Sequence, residues 1–163
     1  MKITVINTGG TFNKRYNPLK GELEVPSDNI ALDEIIESCF NIDFEIKNII
    51  SKDSLEIDND DRDMMIKAIN ESENEKIIIV HGTDTIDITA QYLQDKGVNK
   101  QVVLTGAMVP MSIKKVEATM NFSQAIGFLN ADIKNGVYIS MHGAVVNHAN
   151  IKKDRKKGQF LVN

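Results

Sequence analysis

Short aliphatic runs alternate with amphipathic stretches along the chain, and three of the runs end in a polar turn that contains glycine. The segment Lys76–Val80 holds four consecutive aliphatic residues, a pattern typical of a strand buried on both faces of a parallel sheet. Gly143 provides a turn through which two of the later segments are expected to pair as a hairpin. The other predicted strands cover residues 3–6, 42–50, 102–104, 137–141, 144–147 and 159–162.

Helices are predicted between these strands. Apolar residues recur at helical spacing from Leu32 to Phe40, which predicts an amphipathic helix over residues 28–40, with Ser27 suited to its N-cap. The segment from 12 to 26 is predicted to be a loop because it contains two prolines and a glycine. The remaining predicted helices cover residues 58–74, 86–96 and 116–130.

This alternation predicts the α/β class, with a doubly wound, mostly parallel sheet of Rossmann or flavodoxin type, helices on both faces and a C-terminal hairpin. We expect residues 1–163 to form one domain. In such sheets ligands bind outside the carboxyl ends of the strands. Three successive strand ends carry hydroxyl-and-glycine turns, and we expect them to meet on one edge of the sheet. These turns are residues 8–11 (TGGT), 82–85 (GTDT) and 105–107 (TGA).

Composition narrows the function classes. The chain has 163 residues, of which 42% are hydrophobic, and no run of about 18 apolar residues, so we expect no membrane span. The single cysteine, Cys39, cannot form an internal disulfide, and no signal-peptide pattern opens the chain; both point to the cytoplasm. The net charge of −4 combines −9 over residues 1–100 with +5 over residues 101–163. The basic cluster at 152–157 contains no aromatic residue, so we predict a solvated loop and no nucleic-acid partner.

Two threonines, Thr11 and Thr83, lie at separate predicted strand ends. A threonine hydroxyl needs an activating base or cation to act as a nucleophile, and Tyr16, Asp84 and Lys153 are the candidate partners. Alternatively, the two threonines cap the helices that follow them. The first turn lacks both the dinucleotide-binding fingerprint and the lysine of a phosphate loop. No histidine or cysteine pair has metal-ligand spacing, so we expect neither a metal nor a cofactor.

Three motifs together resemble the bacterial-type L-asparaginase family. They are residues 7–12 (NTGGTF), 80–85 (VHGTDT) and 104–110 (LTGAMVP). The second motif is highly specific, and all three occur in the family's order. The resemblance covers the whole chain but only the N-terminal domain of the family, and it implies hydrolysis of the side-chain amide of L-asparagine to L-aspartate and ammonia.

The resemblance also implies roles for particular residues. Thr11 would be the nucleophile, with Tyr16 as its activating partner on a lid loop. Thr83, Asp84 and a lysine would form a triad, and counting forward from Met141 places this lysine at Lys153, with Lys152, one residue away, as the alternative. Asp84 would also hold the substrate's α-amino group, and Ser54 its α-carboxylate. The expected substrate-binding residues are Gly10, Asp53, Ser54, Gly82, Ala107 and Met108.

The chain also departs from the family pattern. Full-length members carry a second domain, and we expect this protein to be a short-chain member without it. Leu55 follows Ser54 where many relatives have glutamine. Because the strand-end edge would be exposed, a homo-oligomer (dimer or tetramer) is expected. Two alternative functions remain open: a non-catalytic amino-acid-binding domain, and a phosphate- or nucleotide-binding domain of flavodoxin type.

Overall fold

The computed structural model describes residues 1–163. The strands are β1 (Lys2–Gly9), β2 (Arg15–Asn17), β3 (Glu22–Glu24), β4 (Asp43–Lys52), β5 (Lys76–Val80), β6 (Gln101–Thr105), β7 (Gly136–Met141), β8 (Ala144–Asn147), β9 (Ile151–Asp154) and β10 (Gln159–Val162). The α-helices are α1 (Gly10–Asn13), α2 (Ile30–Ile36), α3 (Asn59–Asn70), α4 (Ile86–Asp95) and α5 (Lys115–Asn130). Two short 3₁₀ turns cover Ser54–Glu56 and His148–Asn150. No helix combines the length and the apolar character needed to cross a bilayer.

Six of the strands form the central sheet, in the order β4-β1-β5-β6-β7-β8. All neighbours are parallel except β7 and β8, which pair as the predicted antiparallel hairpin. The chain leaves β1 toward β4 on one side and then returns to β5 on the other. The strand order therefore reverses between β1 and β5, which makes this the position where ligands bind in doubly wound sheets.

Helices cover both faces of the sheet, which confirms the predicted fold class. Strand β5 shows why: Ile77 and Ile79 belong to the buried cluster that includes residues of α3 and α4, whereas Ile78 and Val80 belong to the cluster of α2 and α5. Alternate side chains of a strand point to opposite faces, so a strand with helices on both sides must be aliphatic throughout.

Two local predictions were wrong. The helix predicted over 28–40 is only Ile30–Ile36, its N-cap is Asn29 rather than Ser27, and Phe40 is 91% exposed. After the helix the chain forms a tighter turn of 3₁₀ type, in which the Cys39 N–H donates to the carbonyl of Ile36, three residues back. The predicted loop over 12–26 contains the small hairpin of β2 and β3.

The basic cluster at 152–157 was also only partly predicted. Lys152, Arg155, Lys156 and Lys157 are exposed, as expected for a solvated segment. Lys153, in contrast, lies in β9 with a side chain that is only 8% exposed. Strands β9 and β10 form a separate two-stranded antiparallel sheet beside the central one.

Candidate active site

The first two motifs touch at the reversal point of the sheet. Gly9 and Gly10 end β1 and begin α1 with φ angles of 98° and 72°, a region that side chains other than glycine rarely adopt. A Cβ atom on Gly10 would lie 2.5 Å from the Cα of Gly82, so no side chain fits between the turns that follow β1 and β5. The residues after these glycines, Thr11 and Thr83, therefore start from backbones in contact.

Lys153 links the second motif to the distant hairpin of β9 and β10. Its Nζ donates hydrogen bonds to Thr83 Oγ1 at 2.8 Å and to Asp84 Oδ1 at 2.7 Å. Lys152, the neighbour that the sequence left as an alternative, is exposed. The structure thus brings together the threonine, the aspartate and the lysine that the resemblance placed in one triad. Because the amine lies within hydrogen-bond distance of both oxygen atoms, a proton can pass between it and the Thr83 hydroxyl.

Ser54 lies directly beneath this turn and is only 2% exposed. Its hydroxyl oxygen accepts the backbone N–H of Asp84 at 3.2 Å, and its carbonyl accepts the hydroxyl of Thr85 at 2.7 Å. A Cβ atom on Gly82 would lie 2.5 Å from the Cβ of Ser54. The close packing of Ser54 against Gly82 therefore joins the segment after β4 to the turn after β5.

We predict that Gly82→Ala destabilises the protein by about 1–3 kcal/mol, because the added methyl group overpacks a site that has no room for it. The matched control is Gly127→Ala, since a Cβ atom on this α5 glycine meets nothing within 4 Å. That change should stabilise the helix by about 0.5–1 kcal/mol. Urea unfolding of both variants measures the free energies, and equal effects of the two substitutions would contradict the steric explanation.

The third motif contributes mainly packing, because two of its backbone N–H groups are already hydrogen-bonded within the chain. Ala107 is fully buried in the core. Met108 accepts the Thr83 hydroxyl on its sulfur at 3.3 Å, a weak hydrogen bond. The backbone N–H groups of Met108 and Val109 are already bonded to the carboxylate of Glu117, at 2.8 and 3.1 Å. Met108 was expected to bind substrate, and its backbone N–H is already occupied by Glu117.

Thr11 and Tyr16 share no hydrogen bond. Thr11 is half-buried in α1, and its hydroxyl makes no hydrogen bond within the chain. Tyr16 is 63% exposed on β2, opposite Leu23 of β3. The alternative that Thr11 and Thr83 cap helices is wrong, because neither hydroxyl bonds a backbone N–H.

Two further charged residues adjoin the site, and the sequence reasoning missed both. Lys14 donates to Asp53 Oδ2 at 2.7 Å, and this hydrogen bond lowers the pKa of the Asp53 carboxyl. Arg155 Nη2 donates to the carbonyl of Asp84 at 2.5 Å. Arg155 lies two positions after Lys153, in the turn that follows β9, and this spacing was the available signal. Asp53, predicted to contact the substrate, is thus engaged with Lys14 and also caps the turn of Ser54–Glu56.

A buried polar chain supports the second motif from below. The Nε–H of Arg62 donates to the Thr89 hydroxyl at 3.1 Å, and that hydroxyl is 2.9 Å from Nε2 of His81. The His81 Nδ1 lies 2.8 Å from the carbonyl of Gly82. These contacts are consistent with a neutral imidazole whose proton is on Nδ1. Full burial lowers the pKa of His81 to about 4.

His81 should make the protein less stable in mild acid. The unfolded chain binds a proton at this residue below about pH 6.5, whereas the folded chain binds it only near pH 4. Stability therefore falls as the pH drops through this window, by about 3 kcal/mol. Urea unfolding at several pH values should show a shallower loss for His81→Gln than for the wild type. Parallel curves would contradict this assignment, since the acidic residues titrate equally in both proteins.

The surface around the site is open. None of the five main clefts of the molecule is lined by Thr11, Thr83 or Asp84. The side chain of Asp84 is 39% exposed, and its Oδ2 accepts no hydrogen bond within the chain. No group of three or more His, Cys, Asp or Glu side chains is arranged to hold a metal ion.

Comparison with known proteins gives a consistent match. The model of the asparaginase N-terminal domain matches residues 2–158. The L-asparaginase of Thermococcus kodakarensis is 27% identical over 162 residues, which cover 97% of this chain and 49% of that protein. A subunit of the glutamyl-tRNA(Gln) amidotransferase of Methanococcus maripaludis is 33% identical over 151 residues, or 86% of this chain and 35% of the relative.

The solved structure of the thermostable L-asparaginase from Thermococcus kodakarensis superposes with a TM-score of 0.86 at 26% identity, covering 99% of this chain and 51% of that one. The chain thus spans about half the length, or less, of the relatives it matches. Because the domain model extends over nearly all of the residues, the chain belongs to the asparaginase family and corresponds to its N-terminal domain.

Proposed function

We propose that the protein hydrolyses the side-chain amide of L-asparagine to L-aspartate and ammonia; one relative is named L-asparaginase. The observation that carries the proposal is the placement of Lys153, whose amine bonds both Thr83 and Asp84 at 2.8 and 2.7 Å. A buried lysine held between a hydroxyl and a carboxylate is suited to proton transfer. A domain that only binds an amino acid has no need of this arrangement.

In the proposed reaction the Thr11 hydroxyl oxygen attacks the amide carbon, forming a C–O bond and passing its proton on to the leaving nitrogen. The C–N bond breaks, ammonia leaves, and an aspartyl ester remains on Thr11. Water then attacks the ester, releases aspartate and restores the hydroxyl. The Thr83 hydroxyl donates to the weak acceptor Met108 and accepts from Lys153. When the Lys153 amine is neutral, the hydroxyl can turn and donate to it at little cost, and so relay a proton.

The α-amino and α-carboxylate groups of the substrate match hydrogen-bonding groups of the site that have no partner within the chain. The second carboxylate oxygen of Asp84 has no partner in the chain and attracts an α-ammonium group. The Ser54 hydroxyl accepts one hydrogen bond but donates none, so its hydrogen is available to the α-carboxylate. Tyr16 lies on the hairpin of β2 and β3 without a hydrogen bond to Thr11, so we propose that it moves to Thr11 during turnover.

The decisive experiment is ammonia release from L-asparagine by the purified protein. Thermal stabilisation by L-asparagine without release would favour the non-catalytic binding domain. Stabilisation by a nucleotide or phosphate, and not by the amino acid, would favour the flavodoxin-type alternative. Release that survives both Thr11→Ala and Thr83→Ala would rule out the threonine mechanism.

A second candidate function is amide hydrolysis that supplies ammonia to a partner protein. The observation that favours it is the similarity to the amidotransferase relatives, whose name describes transfer to glutamyl-tRNA(Gln) by those proteins. The same assay with L-glutamine as the amide distinguishes the two functions, because the asparaginase proposal requires a clear preference for L-asparagine. Equal or faster release from L-glutamine would favour the second candidate.

We also propose that the protein acts as a homo-oligomer, a dimer or tetramer, in the cytoplasm. The exposed Asp84 and the open surface at the strand ends support a second copy of the chain at this edge. Sedimentation velocity over a range of concentrations tests the assembly. A fully active monomer at high dilution would contradict the proposed assembly. Cell fractionation tests the compartment, since one relative is named as a periplasmic enzyme.

A further inference from the structure

The hairpin that carries Lys153 has no strand partner in the central sheet. Strands β9 and β10 pair only with each other. An isolated two-stranded sheet is marginally stable by itself, so its position depends on contacts with the body of the molecule. We infer that His142 and Glu117 are positioning residues that hold Lys153 against Thr83, an inference that rests on the proposed function.

Glu117 connects the hairpin to the third motif. This residue lies in the first turn of α5, and its side chain is 18% exposed. Its carboxylate accepts the backbone N–H groups of Met108 and Val109. Met108 in turn receives the Thr83 hydroxyl. The carboxylate therefore fixes the turn against which the Thr83 side chain rests.

His142 forms the second half of the link. Its Nδ1 accepts the backbone N–H of Phe160 at 3.2 Å, so the ring proton is on Nε2, which donates to Glu117 Oε1 at 2.9 Å. The ring also meets the Phe160 ring edge to face, with centroids 5.7 Å apart. The His142 backbone has a φ of 51°, and its N–H is held by the side chain of Asn121 at 3.0 Å.

The contacts close into a ring. Phe160 of β10 lies directly opposite Lys153 of β9, and the Lys153 amine returns to Thr83 and hence to Met108. A displacement of His142 therefore moves the strand that carries the lysine, without touching any group that faces the substrate. The chain places four distant segments in this ring, which explains why no local sequence pattern reveals it.

The test compares His142→Phe, which keeps a ring of similar size but removes both nitrogen atoms, with His142→Asn. The asparagine oxygen can still accept the Phe160 N–H, and asparagine tolerates a positive φ. We expect the Phe variant to raise the rate of reductive methylation of Lys153, located by peptide mass spectrometry, by about tenfold. The Asn variant keeps the contact with Phe160 but loses the contact with Glu117, so its increase should be smaller than that of the Phe variant.

His148→Phe is the matched control, because His148 is largely buried but makes no hydrogen bond. Its Lys153 should react as in the wild type. In turnover assays with L-asparagine, His142→Phe should lower kcat by about tenfold with little change in KM, since the groups that bind substrate are untouched. The Asn variant, which keeps only the contact with Phe160, should restore part of the lost kcat.

An unchanged Lys153 reactivity in a folded His142→Phe, or the same increase in His148→Phe, would overturn the inference. Circular dichroism establishes folding. If His142→Phe does not fold, Glu117→Gln, which is isosteric, takes its place with the same expected direction. A wild type that releases no ammonia but shows the predicted change in Lys153 reactivity would reject the proposed function and leave the positioning role standing.

Discussion

Replacing Lys153 with methionine should lower the rate of ammonia release from L-asparagine by about 10³-fold, within the range that general acid–base groups contribute. Methionine keeps the length and apolar stem of the side chain but removes the amine that bonds Thr83 and Asp84. The loss should fall on kcat, because the proton relay is needed in the reaction itself. Steady-state ammonia assays at several substrate concentrations separate kcat from KM.

Lys152→Met is the matched control for this substitution. Lys152 is the preceding residue in β9, and it is exposed, so its removal should leave the rate within about twofold of the wild type. Equal losses in the two variants would mean that the basic segment acts through its overall charge. A Lys153→Met protein that keeps full activity would contradict the proposed function, because that function depends on the contacts of the lysine amine.

The sheet could be predicted because its physics is local. A strand buried on both faces must be aliphatic throughout, and a parallel strand must end in a turn that admits a crossover helix. Both features are visible at residues 76–85. That the turns containing Gly10 and Gly82 lie on one edge followed from the predicted parallel sheet, since the carboxyl ends of parallel strands meet there.

The hairpin of β2 and β3 could not be predicted in the same way. Its strands have three residues each, and none of these residues is buried. Polar contacts hold it, such as Asn17 to Glu24 at 2.6 Å and Arg15 to Asp28. No buried face imposes an alternating pattern, so propensity alone indicates a loop.

The helix predicted over 28–40 was too long for the opposite reason. Apolar residues continue at helical spacing to Phe40, although only Leu32 and Ile35 are buried within α2.

The site residues also differ in whether a local sequence pattern or tertiary packing places them. Thr11, Thr83 and Asp84 follow strands and could be located from their turns. The partners that come from other segments could not, because Lys14, Arg155 and Glu117 reach their contacts only through tertiary packing. The hydrogen bond from the Met108 N–H to Glu117 could not be predicted either, because the carboxylate lies nine residues later in the chain. Catalytic roles for all of these residues stay predictions that enzyme assays must test.

Thr11→Val should lower kcat for L-asparagine by about 10⁴-fold, because it keeps the shape of the side chain but removes the oxygen that forms the ester. Thr11→Ser retains that oxygen and should keep a substantial part of the rate. Since the Thr11 hydroxyl makes no hydrogen bond in the chain, neither substitution breaks a structural contact, and the free energy of unfolding should change little.

Hydroxylamine trapping distinguishes Thr11 from Thr83 as the nucleophile. An aspartyl ester on a threonine should partition to aspartyl hydroxamate when hydroxylamine competes with water, and this product should disappear in Thr11→Val. Thr83 already bonds Lys153, so a hydroxamate that persists in Thr11→Val and vanishes in Thr83→Val would transfer the covalent role to Thr83. Ester formation at Thr11 would instead require that Tyr16, which is 63% exposed, or another group reaches the Thr11 hydroxyl during turnover.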